Sequence, residues 1–180
     1  ALCAAGFSPI TAALLCSRGY RDAGAAREFL SCSYPLSSPF ALLDMDKAAA
    51  RVKQALARRE HIAVFGDYDV DGITATCLLT EYLRSKGGHV TSYIPARLEE
   101  GYGLNPIAID TLKKQGVELI VTVDCGITAN HEAALCRELG IDLVITDHHE
   151  CSGQAIPNAV AVVDPKRPGS EYPNSGLAGV

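Results

Sequence analysis

The sequence predicts an α/β protein: a parallel doubly wound sheet of about five strands with helices on both faces, preceded by a small helical N-terminal segment. Three observations carry that prediction. From Ile62 onward, short and largely apolar runs alternate with stretches of helical spacing. Runs such as Ile62–Phe65 and Leu119–Val123 are not alternately polar, which is the pattern of strands buried on both faces. Glycines close the helical stretches, at Gly87, Gly116 and Gly140.

Residues 8 to 30 read as two short helices. Ser8 and Pro9 make an N-cap and a first-turn proline, and Gly19 makes a stop. Ala25, Ala26, Phe29 and Leu30 keep helical spacing in the second helix. The Ser- and Pro-rich stretch from Ser31 to Pro39 is a connector and the best candidate for a boundary. Asp44 is placed to cap a third helix ending near Arg59, with Ala48, Val52, Ala55 and Leu56 on one face. Asp46 in its first turn suits the helix dipole. Residues 1–60 are therefore taken as a helical lead-in packing on the core, and 61–180 as the main domain. In that domain strand one, Ile62–Phe65, leads to a helix over Ile73–Lys86. Strand two is Val90–Ile94, and Asn105-Pro106 opens a helix that ends near Gly116. Strand three is Leu119–Val123, and a helix over Thr128–Leu139 follows it. Strand four is Leu143–Thr146, and Val160–Val163 forms strand five.

Composition narrows the class. With 180 residues, 48% of them apolar, the chain suits one α/β domain and not a disordered segment. It has no continuous apolar run long enough for a membrane span. The opening residues carry no basic segment and no initiator Met, so the chain reads as an internal fragment and not as one headed by a signal peptide. The 7 cysteines are odd in number and show no CxxC spacing; Cys77 and Cys136 sit within apolar patterns. Small buried thiols in a reducing cytoplasm explain them better than disulfides or zinc. A net charge of −5 speaks against binding nucleic acid through a general basic surface, although metal ions can reverse the field inside an acidic site.

Ligands of open parallel sheets gather at the carboxyl ends of the strands. Strand one is followed by Asp67, Asp69 and Asp71, strand three by Asp124-Cys125-Gly126, and strand four by Asp147-His148-His149-Glu150. Taken singly, these are a solvated acidic loop, a helix cap and exposed histidines. Together they deliver acids and histidines to one sheet edge. Acids so close repel one another unless a cation lies between them. Oxygen ligands favour magnesium or manganese, and histidines tilt the choice to manganese. Two ions ~3.5–4 Å apart usually share a bridging carboxylate, and the inventory is large enough for that. Glu99 and Glu100 read as solvated, and Asp164, followed by Pro165, as a turn residue.

The stretch Asp67-Tyr68-Asp69-Val70-Asp71-Gly72, the Asp124-Cys125-Gly126 turn and Asp147-His148-His149 resemble, in order and spacing, the first three motifs of the DHH phosphoesterases. Asp44–Ala48, Glu100–Leu104 and Ser175–Val180 resemble segments of the RecJ branch, the bacterial single-strand-specific exonucleases. The resemblance runs from about residue 8 to the last. It implies two Mn2+ or Mg2+ ions, with Asp69 and Asp71 as ligands and Asp124 as the bridging carboxylate. Some relatives carry a histidine where Phe65 stands, and Asp67 would replace that ligand. His148 would ligate one ion, His149 would face the substrate phosphate, and Asp147 would orient a histidine from behind. Separately from the resemblance, Arg97 lies between strand two and the Gly101-Tyr102-Gly103 turn, where its guanidinium reads either as a bidentate phosphate ligand or as a surface arginine. The implied activity is 5′→3′ hydrolysis of single-stranded DNA in repair and recombination, in the bacterial cytoplasm, alongside other repair proteins.

A fourth-motif aspartate, a DHH-associated domain and an oligonucleotide-binding domain would lie downstream of Val180, so these residues alone are expected to be inactive or weakly active. Two competing readings are a DHH phosphodiesterase for oligoribonucleotides or cyclic dinucleotides and a non-catalytic replication scaffold. The intact acidic motifs weigh against the scaffold. The oligomeric state is not legible.

Overall fold

Five strands form one all-parallel sheet: β1 (His61–Gly66), β2 (His89–Tyr93), β3 (Leu119–Val123), β4 (Asp142–Thr146) and β5 (Ala161–Val163). Their spatial order is β2-β1-β3-β4-β5. The structure is a computed structural model and describes residues 1–31, 37–96, 100–151, 153 and 155–180. Alternate side chains of each strand point to opposite faces, and β1, β3 and β5 are buried throughout while the edge strand β2 is partly exposed. Ala63, Phe65, Ile120, Leu143, Ile145 and Val162 pack on one side with α5 (Pro106–Lys114) and α6 (Asn130–Glu138). Ile62, Val64, Val121, Val123, Val144 and Val163 pack on the other with α3 (Met45–Arg58) and α4 (Val70–Ser85). This is the doubly wound sheet that the apolar strands predicted.

The chain divides into two compact units, Ala1–Ser37 and Ser38–Val180. The first contains α1 (Pro9–Ser17) and α2 (Ala23–Ser31) around a small core of Leu2, Ala12, Leu15 and Ala26. Ser8 caps α1 by accepting the Thr11 amide at 3.1 Å. The division falls at the Ser/Pro-rich connector and not near residue 60, because Ala48 and Ala55 bury α3 in the same core as β1 and β5.

Two helix starts differ from the sequence reading. Asp44 does not cap α3 with its side chain; its backbone has φ 59°. Its carboxylate instead accepts from Lys47 at 2.6 Å and Arg167 at 2.7 Å. Burial opposes its charge, but those two cations win and hold the carboxyl below its usual range. Helix α4 begins at Val70, three residues before Ile73, because Asp69 caps it by accepting the Gly72 amide at 3.0 Å. The cysteines also split: Cys125 and Cys136 are buried, whereas Cys77 is exposed on α4.

Candidate metal centre

Register aligns the acids. Gly66 of β1 lies opposite Val123 of β3, Val123 opposite Thr146 of β4, and Thr146 opposite Val163 of β5. The next residue on each strand is an aspartate: Asp67, Asp124, Asp147 and Asp164. Four carboxylates thus stand abreast along one sheet edge, at a strand spacing of about 4.8 Å. All are buried, with relative exposures of 3, 1, 7 and 0%.

Asp124 is the centre of the row. Ligand atoms of Asp67, Asp69 and Asp124 lie within 4.8 Å of one another, and so do those of Asp124, His148 and His149. One carboxylate therefore belongs to two groups. Burial, then the charges of Asp71 and Asp69, push its pKa up to about 6 against the opposing pull of the two histidines. Its backbone is left-handed, φ 60°, an uncommon conformation for a residue with a side chain. The neighbouring Gly126 (φ 113°) completes the turn.

Asp147 organises the histidines. Its Oδ1 accepts the amides of His148 and His149 at 2.7 and 3.1 Å and the His149 ring Nδ1 at 2.7 Å. Its Oδ2 accepts the Ile127 amide at 2.8 Å, tying the β3 and β4 turns together. An acceptor-only carboxylate fixes the proton on Nδ1 of His149 and leaves the other ring nitrogen to the site. Burial lowers the basicity of that ring, but the hydrogen bond and charge of Asp147 outweigh it and raise its pKa. His148 Nε2 comes within 2.9 Å of Asp124 Oδ1 and 3.6 Å of Asp71 Oδ2.

Asp71, expected as a ligand, belongs to neither group, although its Oδ2 borders His148 of one of them. Its two oxygens accept the amides of Gly179 and Val180 at 2.8 and 2.7 Å. Gly179 passes so close to Asp124 that a Cβ there would lie 2.6 Å from its carboxylate oxygen. Asp67 lies inside the ligand cluster. Arg97 and Glu99 lie outside the described residues. Glu100 is not simply solvated: it accepts from the Tyr93 hydroxyl at 2.8 Å and the Ala96 amide at 2.9 Å.

Cation ligands fit what these residues lack. Asp67 Oδ1 and Asp124 Oδ1 are buried without a hydrogen bond, and the His148 approach to Asp124 falls outside hydrogen-bonding geometry. Buried carboxylate oxygens demand a partner. Hard oxygen donors plus imidazole suit Mn2+ or Mg2+.

The sequence reading passed over Asp164, a fully buried carboxyl pushed up to about 6 by burial; its Oδ1 accepts the Lys166 amide. Its position directly after a strand was the available signal.

The sequence model of the DHH family, N-terminal domain, matches residues 61–180, the stretch that carries the whole sheet and all the clustered acids. The chain belongs to the DHH family. Among DHH proteins it is 45% identical over 174 residues to the single-stranded-DNA-specific exonuclease RecJ of Bacillus subtilis, covering 96% of this chain and 22% of that protein. With RecJ of Escherichia coli it shares 35% over 173 residues, 96% of this chain and 29% of the other. The chain thus spans less than a third of the length of these curated relatives. A crystal structure of exonuclease RecJ bound to manganese superposes with a TM-score of 0.71 at 35% identity, over 81% of this chain and 36% of that one. RecJ of Thermus thermophilus in complex with Mn2+ superposes at 0.66 with 29% identity, over 94% of this chain and 23% of the other. The DHH resemblance carried by the motifs and the α/β fold expected from the alternating apolar and helical stretches are borne out. Among the described residues no helix is long and apolar enough to cross a membrane.

Proposed function

We propose that this DHH domain holds two divalent cations, Mn2+ or Mg2+, and is the catalytic part of a bacterial cytoplasmic exonuclease that hydrolyses single-stranded DNA from its 5′ end in repair and recombination. The carrying observation is Asp124, one buried carboxylate common to two clusters of ligand atoms. In this reading Asp67, Asp69 and Asp124 would hold one ion, and Asp124 and His148 would hold the other. Such ions supply Lewis acidity and neutralise charge on a phosphodiester as it is cleaved. The chain's own groups do the positioning. Asp147 locks the His149 ring by its Nδ1, so that the opposite nitrogen faces the substrate phosphate. Asp71 fastens the Gly179–Val180 backbone against the cluster, and His148 lies between Asp71 and Asp124. Strand specificity is supported by the RecJ relatives, which are described as single-stranded-DNA-specific exonucleases.

The test is degradation of a 5′-labelled single strand, against a duplex and a cyclic dinucleotide, by the intact protein in Mn2+. Hydrolysis of the single strand alone, abolished in Asp124→Ala, is the expected outcome. Wild-type turnover by Asp124→Ala would remove the basis of the proposal.

A further inference from the structure

The segment Ser175–Val180 has no charged side chain, yet it reaches the metal centre. What it brings there is backbone. The Gly179 amide donates to Asp71 Oδ2 at 2.8 Å and the Val180 amide to Asp71 Oδ1 at 2.7 Å. Two successive N–H groups therefore hold both oxygens of one carboxylate. Successive amides aimed at one anion act as a fixed positive partial charge. Here they offset part of the repulsion between Asp71 and the neighbouring acids without adding a cationic side chain.

Gly179 meets a second acid as well. A Cβ on it would lie 2.6 Å from both Cβ and Oδ1 of Asp124 and 2.8 Å from its Cγ, closer than such atoms can pack. The φ of Gly179 lies outside the left-handed region, so backbone conformation does not demand glycine at this position. Room does. Asp124, buried and left-handed in its own backbone, has little space in which to yield. The two oxygens that Gly179 meets, Asp71 Oδ2 and Asp124 Oδ1, are the same two that His148 Nε2 approaches, at 3.6 and 2.9 Å. One residue without a side chain thus borders both carboxylate oxygens on the His148 side of the centre.

We propose that Gly179 is a positioning residue of the metal centre. Its amide sets Asp71, its bare Cα leaves Asp124 Oδ1 in place, and together they shape the cation position beside His148 and not the one beside Asp67 and Asp69. The inference rests on the two-ion reading and adds to it the reason that an uncharged segment belongs to the site. A methyl group at position 179 would drive Asp124 Oδ1 from His148 and strain the amide that holds Asp71 Oδ2.

The experiment uses the intact protein and Mn2+ alone, with calorimetry to rank the sites and anomalous diffraction to place them. Gly179→Ala is expected to weaken one ion by about 10- to 100-fold, the range for residues that orient metal ligands. The anomalous peak beside His148 should fade while the peak beside Asp67 and Asp69 stays. Gly176→Ala is the control, the same substitution three residues earlier, where a Cβ would meet only Asn174 Oδ1 at 3.4 Å; it should bind both ions as wild type does. If Gly179→Ala does not fold, amide hydrogen exchange of the metal-free protein carries the test. Gly179 and Val180 should exchange slowly in wild type, and Asp71→Ala should speed both while leaving Gly176 unchanged. Equal weakening of both ions by Gly179→Ala, or of neither, would overturn the positioning role and leave the two-ion reading standing. Exchange at Gly179 and Val180 that ignores Asp71 would do the same. Failure of wild type to bind Mn2+ at Asp124 would overturn the two-ion reading, and the positioning role with it.

Discussion

At the scale of the residue, the centre is built on a row of carboxylates, Asp67, Asp124, Asp147 and Asp164, held where water hardly reaches them. Asp124 shows the cost most clearly, with its left-handed backbone, its burial and a pKa pushed up to about 6. Strain and repulsion of this kind persist where the surroundings, or a ligand, over-determine them. Asp164 allows a cleaner measurement because it lies outside both ligand clusters. Its folded pKa, about 6, is above the ordinary 3.8, so between those values the folded chain binds a proton that the unfolded chain releases. The stability linked to that proton is therefore fully present below about 3.8, declines as pH rises from 4 to 6, and is lost above. Asp164→Asn, whose amide oxygen can still accept from Lys166, should unfold at higher urea than wild type at pH 7, by about 1–3 kcal/mol, with the gap closing by pH 4. A gap that widened toward pH 4 would contradict the burial argument. Asp67, Asp124 and Asp147 were legible as the first residues after apolar strands. Asp164 occupies the equivalent place but was hidden by Pro165, whose turn signal is just as well explained by a strand end. The capture of Asp71 by the Gly179 and Val180 amides was not legible, because nothing in a linear sequence brings together residues more than a hundred positions apart.

At the scale of the element, the turn from β1 into α4 combines binding groups with the start of a helix. Apolar spacing placed the start at Ile73, and the cap was missed because Asp69 looked only like a ligand. It is both cap and cluster member in the structure. The two roles can be separated. Asp69→Asn keeps an oxygen for the Gly72 amide and should leave stability nearly unchanged while weakening Mn2+ binding in calorimetry. Asp69→Ala should lose the same affinity and also about 1 kcal/mol of stability. The glycine after the acids has a packing reason: a Cβ on Gly72 would lie 2.5–2.7 Å from Asp67 backbone atoms. Gly72→Ala must push strand and helix apart, and roughly 3 kcal/mol of destabilisation is expected in chemical denaturation. A near-neutral result would mean that the turn has room the structure does not show.

At the scale of the whole molecule, the sheet order β2-β1-β3-β4-β5 explains why distant motifs meet. The chain leaves β1 in one direction for β2 and returns on the other side for β3, so the turns after β1 and β3 open onto one crevice. Alternating apolar runs and glycine stops made the doubly wound class readable. Strand order and register were not readable in that way, since they depend on pairings between segments tens of residues apart, and register is what brings four aspartates abreast. Removing the repulsion within that row should be a property of the folded state alone. Mn2+ at about 100 times its Kd should therefore add about 2.7 kcal/mol to stability, seen as a raised Tm in a metal titration, and Asp124→Ala should abolish the shift. An equal rise in wild type and variant would locate binding elsewhere.

The most direct test is anomalous diffraction from crystals of the protein soaked in manganese. Two peaks are predicted, both in contact with Asp124, one on the side of Asp67 and Asp69 and the other on the side of His148. Manganese density that avoids Asp124, in crystals that bind the ion elsewhere, would contradict the account.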